Sequence, residues 1–400
     1  MIDLLDRMLR DIREMAPEIV SRAAEIEAAR RLPFDVIVKL KSIGVFRMFA
    51  PRRYGGLEMD YPAGMQVISE LSKIDGAIGW TVMIAAGLTM FASLVQKETL
   101  DVIYDAGPDV VFAGSGAPMG TAEATTDGFH VTGRWPFASG CLHADWMLAF
   151  CVITKNGTPL PGYAGAGDNA PLLTRGLPLV RGFILRANEW EVEDTWYAAG
   201  LKATGSNHIR VSNKFVPGAN FFDVDTHAPT SNAPLYGALI ELGLLGMSSF
   251  FLGTAEGALE DLVALANTGR RQQRAHTAMR ESEMFQGELG RIEADLRAAR
   301  AFQQVQVDHH WRHALAGTLR NEKLEMQSRQ QVVWMASACG RIVDACFALA
   351  GGVAVYEDSP LQRRLRDLHT GAQHFAVQRR HYAEAGKFLL DVSKKQADGS

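Results

Sequence analysis

The hydrophobic period of this chain changes twice, and the two changes confine it to an order of helices, then sheet, then helices. From Met1 to about Asp105, apolar residues recur three and four positions apart, as in Leu4, Leu5, Met8, Leu9 and Ile12, or Val36, Ile37 and Leu40. That is the spacing of a buried helix face. Between about Val110 and Pro217 the runs become short and alternating (FHVTGRWPF, DWMLAFCVIT, GFILRANEWEVEDTW, HIRVSNKFV), with Gly, Pro and Asn-Gly turn signals between them. Such texture predicts a compact β domain. Beyond Pro217 the helical period returns over Pro234 to Asn267, Ser282 to Leu315, Lys323 to Ala350 and Pro360 to Val392, four helices that imply a bundle. The expected divisions are therefore a helical domain over 1–109, a β domain over 110–218 and a four-helix bundle over 219–400. Lys155 to Gly176, rich in Gly, Pro and Asn, reads as an exposed excursion between strands.

Composition narrows the class of function. A chain of 400 residues with 47% hydrophobic content can bury large cores, and a net charge of -4 gives no basic footprint for nucleic acid. Cys141, Cys151, Cys339 and Cys346 lack paired CxxC spacing, so reduced, buried thiols and a cytoplasmic enzyme are expected. MIDLLDRMLRDIREMAPEIV mixes acids, bases and apolar residues and does not read as a signal peptide. The longest apolar runs, Trp80 to Leu94 and Ala238 to Thr254, are interrupted by small or polar residues and read as core helices rather than membrane spans. Small residues in GALIELGLLGMSSFFLGTAEGALEDL allow close helix contact and leave apolar surface suited to self-association.

Several residues carry possible chemistry. His374 and His369 titrate near operating pH in their ordinary state, which suits proton transfer. On an ideal helix five residues separate two side chains by about 140°, so both face one spot only if one lies in a loop. His374 is preferred as base, His369 for support, and His143, near Ser139 in sequence, is a third candidate. Ser139 follows a strand-like run and reads equally as a turn serine. Trp135 suits either a stack against a planar ligand or ordinary core. Thr204, Gly205 and Ser206 place two hydroxyls around a flexible backbone, as a hairpin turn also would. Arg270 and Arg271 offer guanidinium forks that match phosphate oxygens, or a charged helix end. Gly351 and Gly352 form a turn after a helix. His309, His310 and His313 have no accompanying HExxH glutamate, so no metal site is predicted. No Gly-x-Gly-x-x-Gly follows a strand, so no built-in nicotinamide domain is expected.

Four stretches share one resemblance: FAGSGAPMGTAE (Phe112 to Glu123), GRWPFASGCLHADW (Gly133 to Trp146), GLKATGSNHIRV, and GGVAVYEDSPLQRRLRDLHTGAQH (Gly351 to His374). Together they resemble the acyl-CoA dehydrogenase superfamily, and Trp-x-Phe-Ala-Ser-Gly followed by His-Ala-Asp-Trp resembles its two-component flavin-dependent monooxygenase branch. The likeness spans nearly the whole chain. It implies a mostly α fold with an N-terminal helical domain, a central β-barrel or sandwich domain and a C-terminal four-helix bundle. Dehydrogenases of the superfamily carry a glutamate base shortly after an Arg-Asp pair like Arg366-Asp367; here His374 stands at nearly that spacing.

The resemblance implies an oxygenase component that takes reduced FMN or FAD from a separate flavin reductase and reacts it with O2. A C4a-hydroperoxyflavin would then hydroxylate an aromatic or heteroaromatic small molecule, an indole- or indoleacetate-like one being preferred. On this reading Ser139 lies near flavin N5, and Trp135, Thr204, Gly205 and Ser206 border the ring. Arg270 or Arg271, with Gly351 and Gly352, approaches the phosphate end, across a subunit boundary of a homotetramer. Two readings compete. One is an acyl-CoA dehydrogenase with Glu357 or Glu384 as a relocated base; the other is a non-catalytic bundle that binds a ligand.

Overall fold

The computed structural model describes residues 2–162 and 178–397, apart from 225, 238 and 274. Most of the expected Lys155 to Gly176 excursion lies outside the described residues. Six helices come first: α1 (Ile2–Ser21), α2 (Ala23–Ala29), α3 (Phe34–Ile43), α4 (Tyr61–Ile74), α5 (Gly76–Ala92) and α6 (Lys97–Ile103). Eight strands follow: β1 (Phe112–Ala124), β2 (Gly128–Ala138), β3 (Trp146–Lys155), β4 (Thr158–Pro159), β5 (Val180–Arg186), β6 (Glu191–Glu193), β7 (Asn207–Pro217) and β8 (Phe221–Phe222). Five helices close the chain: α7 (Leu239–Asn267), α8 (Glu283–Leu315), α9 (Glu322–Ala350), α10 (Pro360–Gly371) and α11 (Arg380–Ala397).

The strands form one mixed sheet in the order β6-β7-β2-β1-β3-β5-β8, with β4 paired to β3. β1 and β3 run parallel and every other pair is antiparallel. The sheet continues past Pro217 into β8, which pairs with β5 and lies beyond the division expected at 218. Its interior is a separate core of Trp135, Phe183, Trp190 and Phe221, while the helices and the other sheet face share the larger core. Two cores meeting along one sheet leave a seam between strand ends and helix ends.

α5 and α7 sit at the centre because they are apolar on every side rather than along one stripe. α5 begins at Asp75, whose carboxylate accepts the Ala77 and Ile78 backbone N–H groups at 2.9 and 3.0 Å. By length and composition α7 and α9 are each long and apolar enough to cross a membrane. The most apolar stretch of α7 is 83% buried within the protein, as in a core helix; that of α9 is only 44% buried.

The fourth bundle helix expected from Pro360 to Val392 is instead two helices, with a 3-10 turn at Phe375–Val377 between them. The chain is tightly packed at the end of the first of these helices. A Cβ on Gly371 would meet Phe250 at 2.6 Å and Trp80 at 3.0 Å, so the chain passes too tightly against α5 and α7 to carry a side chain there. His374 is therefore delivered by the turn and not by a helix face.

Candidate active site

The end of β2 and the start of β7 are irregular together. Their pairing skips register between Trp135 and Ala138, a bulge that bends the strand. Phe137 takes φ +63°, a left-handed conformation that a bulky aromatic rarely adopts, and its ring stays 65% exposed. Ser139 N–H bonds back to the Phe137 carbonyl at 2.9 Å, and Asn207 N–H bonds back to Gly205 at 2.6 Å. Gly140 N–H then reaches the Thr204 carbonyl at 2.8 Å and locks one turn to the other. Two short turns thus hold three hydroxyls side by side.

Those hydroxyls form a relay. Trp80, on α5, donates its indole N–H to Ser139 Oγ at 3.1 Å. Ser139 Oγ lies 2.7 Å from Ser206 Oγ, which lies 2.6 Å from Thr204 Oγ1. Thr204 donates to the Leu201 carbonyl at 2.7 Å. All three hydroxyl residues are buried. Leu201, at φ +50°, donates its own N–H to Asp367 Oδ1 at 2.6 Å. Burial, then the nearby Asp75 carboxylate, pushes the Asp367 carboxyl up to about 7. Arg366, its neighbour, reaches the Ala199 carbonyl at 2.7 Å and pairs with Glu27 on α2. The Arg-Asp pair therefore fixes the loop that carries Thr204 and Ser206.

Trp80 also faces His374, with ring centroids 5.8 Å apart at 71°, and so sits between the serine and the histidine. His374 starts the 3-10 turn, where its Nδ1 accepts the Ala376 N–H at 3.3 Å, and it lies against Phe375 at 4.4 Å. Burial pushes its pKa down to about 4. With Nδ1 accepting, the neutral ring carries its proton on Nε2. In that tautomer Nε2 is a donor and Nδ1 is occupied.

The other expected residues divide. Trp135 is not a ring platform: it is 0% exposed, donates to the Phe150 carbonyl at 2.8 Å and packs on Phe183 and Trp190 in the sheet's core. His369 does not support His374. It stands on the outer face of α10, half exposed, and pairs with Asp344 of α9 at 2.7 Å. His143 lies in the turn after Ser139 with a buried, unpartnered Nε2, and burial followed by Arg31 lowers its pKa to about 4. No hydrogen bond or ring contact among the described residues joins it to the relay. Gly205 takes φ +52° beside Leu142.

Arg270 and Arg271 are exposed in the loop after α7 and form no ion pair among the described residues. The neighbouring Gln272 bonds the Leu349 carbonyl at 2.9 Å and lies beside Gly351, which has φ +70°; Gly352 faces open space. This group gathers at the end of α9, and no described contact links it to the relay. Of the alternative carboxylates, Glu384 is bonded to His381 at 2.9 Å and Glu357 is exposed in the turn before α10. His310 of the histidine cluster is buried and bonded to the Gln306 and Leu324 carbonyls. Sequence reasoning missed Trp80, and the signal was slight: a tryptophan opening an apolar helix looks like any core residue.

The residues fit a flavin. A reduced isoalloxazine needs an acceptor for its N5–H and apolar walls for its rings. Ser139 Oγ keeps one hydrogen-bonding position beyond Trp80 and Ser206, and Phe137, Leu142 and Phe375, near it or His374 in sequence, are exposed apolar side chains. Chain-wide likeness agrees with that fit. The family models for the acyl-CoA dehydrogenase N-terminal and C-terminal domains match residues 5–100 and 245–379. An indole-3-acetate monooxygenase of Acinetobacter baumannii is 30% identical over 99% of this chain and 95% of its own. Another, of Pseudomonas putida, is 29% identical over 92% and 90%. The solved structure of XiaF from Streptomyces, in complex with FADH2 and glycerol, superposes with a TM-score of 0.85 at 25% identity, covering 97% of this chain and 96% of that one. From the paired turns, the relay and this full-length likeness, the chain belongs to the acyl-CoA dehydrogenase superfamily, in its branch of flavin-dependent monooxygenase oxygenase components.

Proposed function

We propose that this chain hydroxylates an indole- or indoleacetate-like aromatic molecule with dioxygen, using reduced FMN or FAD delivered by a separate flavin reductase. The observation that carries the reading is the buried relay Trp80–Ser139–Ser206–Thr204 beside His374, where a dehydrogenase would need a glutamate. The flavin, when bound, supplies the two electrons and the oxygen activation, so that one oxygen atom enters the substrate and the other leaves as water. Ser139 holds the ring at N5, and His374 Nε2–H donates to an oxygen atom of the reacting pair and orients it. Phe137, Leu142 and Phe375 exclude water, which limits loss of hydrogen peroxide. The full-length likeness to indole-3-acetate monooxygenases supports the substrate class.

The functional unit in this reading is a homotetramer in the cytoplasm. Arg270 or Arg271 and the Gly351-Gly352 turn of one subunit hold the phosphate end of a flavin whose ring lies at a neighbour's Ser139. The incompletely buried apolar stretch of α9 supports self-association. Four free, buried cysteines suit a reducing compartment.

The test is an anaerobic titration with reduced FMN and reduced FAD, followed by mixing with oxygen and indole-3-acetate. Reduced flavin should bind, and product should form in proportion to flavin oxidised. Turnover of acyl-CoA by a stoichiometric, tightly held FAD would replace this reading with the dehydrogenase.

A further inference from the structure

α5 is buried along its length except at Ile84, Gly87, Leu88 and Phe91. At 3.6 residues per turn these residues and Trp80 fall within one arc of about 100°. The half-open strip therefore leads away from Trp80, which joins Ser139 and faces His374, toward the C-terminal end of the helix. At that far end Phe150 of β3 sets its ring edge-on to Phe91 at 6.2 Å, and Phe222 backs Phe150 at 5.8 Å. At the near end Phe375, next to His374, approaches β1 where its register with β3 breaks between Ser115 and Gly120. A Cβ on Gly116 would lie 3.9 Å from the Phe375 ring. The strip is thus an apolar trough with an aromatic wall at one end and the relay at the other.

Gly87 is the feature of this trough that helix packing does not explain. Glycine inside a helix is less stable than alanine, so it is expected where a side chain would clash. Gly79, on the same helix, is such a case, because its Cβ would lie 2.0 Å from Ser72 Oγ. A Cβ on Gly87 would meet no described atom within 4 Å, and the backbone there is ordinary helix. What the glycine supplies is a notch in the strip, about 10 Å along the helix axis from Trp80.

We infer that this strip is the substrate trough, that the notch at Gly87 receives the second ring of a fused, planar aromatic substrate, and that Gly87 is thereby a specificity-determining residue. The inference rests on the flavin site proposed above. The reacting ring lies near Trp80 and His374, and the far ring covers the bare backbone of Gly87 between Ile84 and Phe91. Those surfaces are apolar, so removal of the ring from water supplies the affinity. A substrate with one ring ends short of the notch and gains nothing from it.

The experiment compares indole-3-acetate with phenylacetate, which carry the same acid group on two fused rings and on one. Both are titrated anaerobically into the full chain loaded with reduced FMN or FAD. In Gly87→Leu the leucine fills the notch, so the affinity ratio of indole-3-acetate to phenylacetate should fall roughly tenfold or more. The dissociation constant of reduced flavin should stay the same. During turnover with a flavin reductase, KM for indole-3-acetate should rise by a larger factor than kcat falls, and more hydrogen peroxide should be released per flavin oxidised. Gly87→Ala adds one methyl group and should lower the ratio about threefold. It should also raise the urea midpoint, since alanine favours the helix and its Cβ meets open space.

A ratio unmoved in Gly87→Leu overturns the inference, and so does a lowered urea midpoint in Gly87→Ala, the result expected of a glycine kept for packing. If Gly87→Leu does not fold, the ratio in Gly87→Ala decides. Loss of self-association in Gly87→Leu with an unmoved ratio, read by sedimentation, assigns the strip to a subunit contact instead. A parent chain that binds reduced flavin but holds indole-3-acetate no better than phenylacetate also overturns the inference. A parent that binds no reduced flavin refutes the flavin reading itself.

Discussion

His374 shows how one backbone contact changes a side chain's chemistry. Its ordinary pKa would make it a base near neutrality, yet burial moves it to about 4 and the Ala376 N–H occupies Nδ1. A donor role makes a distinct prediction. His374→Ala should lower the hydroxylation rate roughly tenfold or more, and His374→Asn, which restores an N–H, should recover part of that loss. A base would be lost equally in both, and steady-state turnover with a flavin reductase separates the outcomes. The pKa adds a second expectation. Because the folded value lies below the ordinary 6.5, the stability from keeping the ring neutral is complete above that pH and is lost as pH falls toward 4. Urea midpoints of His374→Asn and parent should therefore converge as the buffer is acidified from neutrality. Ser139→Ala should raise the hydrogen peroxide released per flavin oxidised several-fold, measured with a peroxidase assay.

At the scale of elements, the bulge in β2 and the loop before β7 carry the site and its strain. Phe137 at φ +63° costs about 1–2 kcal/mol relative to a relaxed backbone, and its exposed ring recovers little by burial. Phe137→Gly should therefore raise stability by about 1 kcal/mol while weakening flavin binding; if the ring were merely structural, both would fall. Chemical denaturation and flavin titration read the two signs. The Leu201 loop gives the opposite pH case to His374. Asp367 is raised by burial and by Asp75, so its contribution to stability is present at low pH and is lost as pH rises through about 7. Asp367→Asn keeps an acceptor for Leu201 N–H and removes the charge. Its stability relative to parent should improve between about pH 5 and pH 8, as seen in urea midpoints; an unchanged difference would mean that the carboxyl titrates normally.

For the whole molecule, the seam between the two cores explains why the site needs every part of the chain. Trp80 comes from the first helical segment, Ser139 and Ser206 from the sheet, and His374 from the broken last pair of helices. The Arg366–Glu27 ion pair and the Asp367–Leu201 bond tie those three parts together. The proposed tetramer makes its own prediction. Sedimentation should report about four chains, and Arg270→Ala with Arg271→Ala should weaken flavin binding about tenfold or more without dissociating the oligomer. A fully active monomer would remove the shared site.

The order of helices, sheet and helices was determined by the sequence alone, because hydrophobic period is a local property that each segment carries with it. Ser139, Thr204, Ser206 and His374 were also singled out from the sequence, through the motifs that carry the resemblance, and the structure gathers them around Trp80. Three things were decided only by tertiary structure. Trp135 and Trp80 are both tryptophans in apolar runs, and only packing sends the first into the sheet's core and the second to the serine. His369 and His374 could meet only if one left the helix; His374 does begin a turn, yet packing leaves His369 paired with Asp344 and His374 against Trp80. The relay itself joins an indole and two hydroxyls that lie far from Ser139 in the chain. Such hydrogen bonding is a property of the closed network, so no single residue in it specifies the relay.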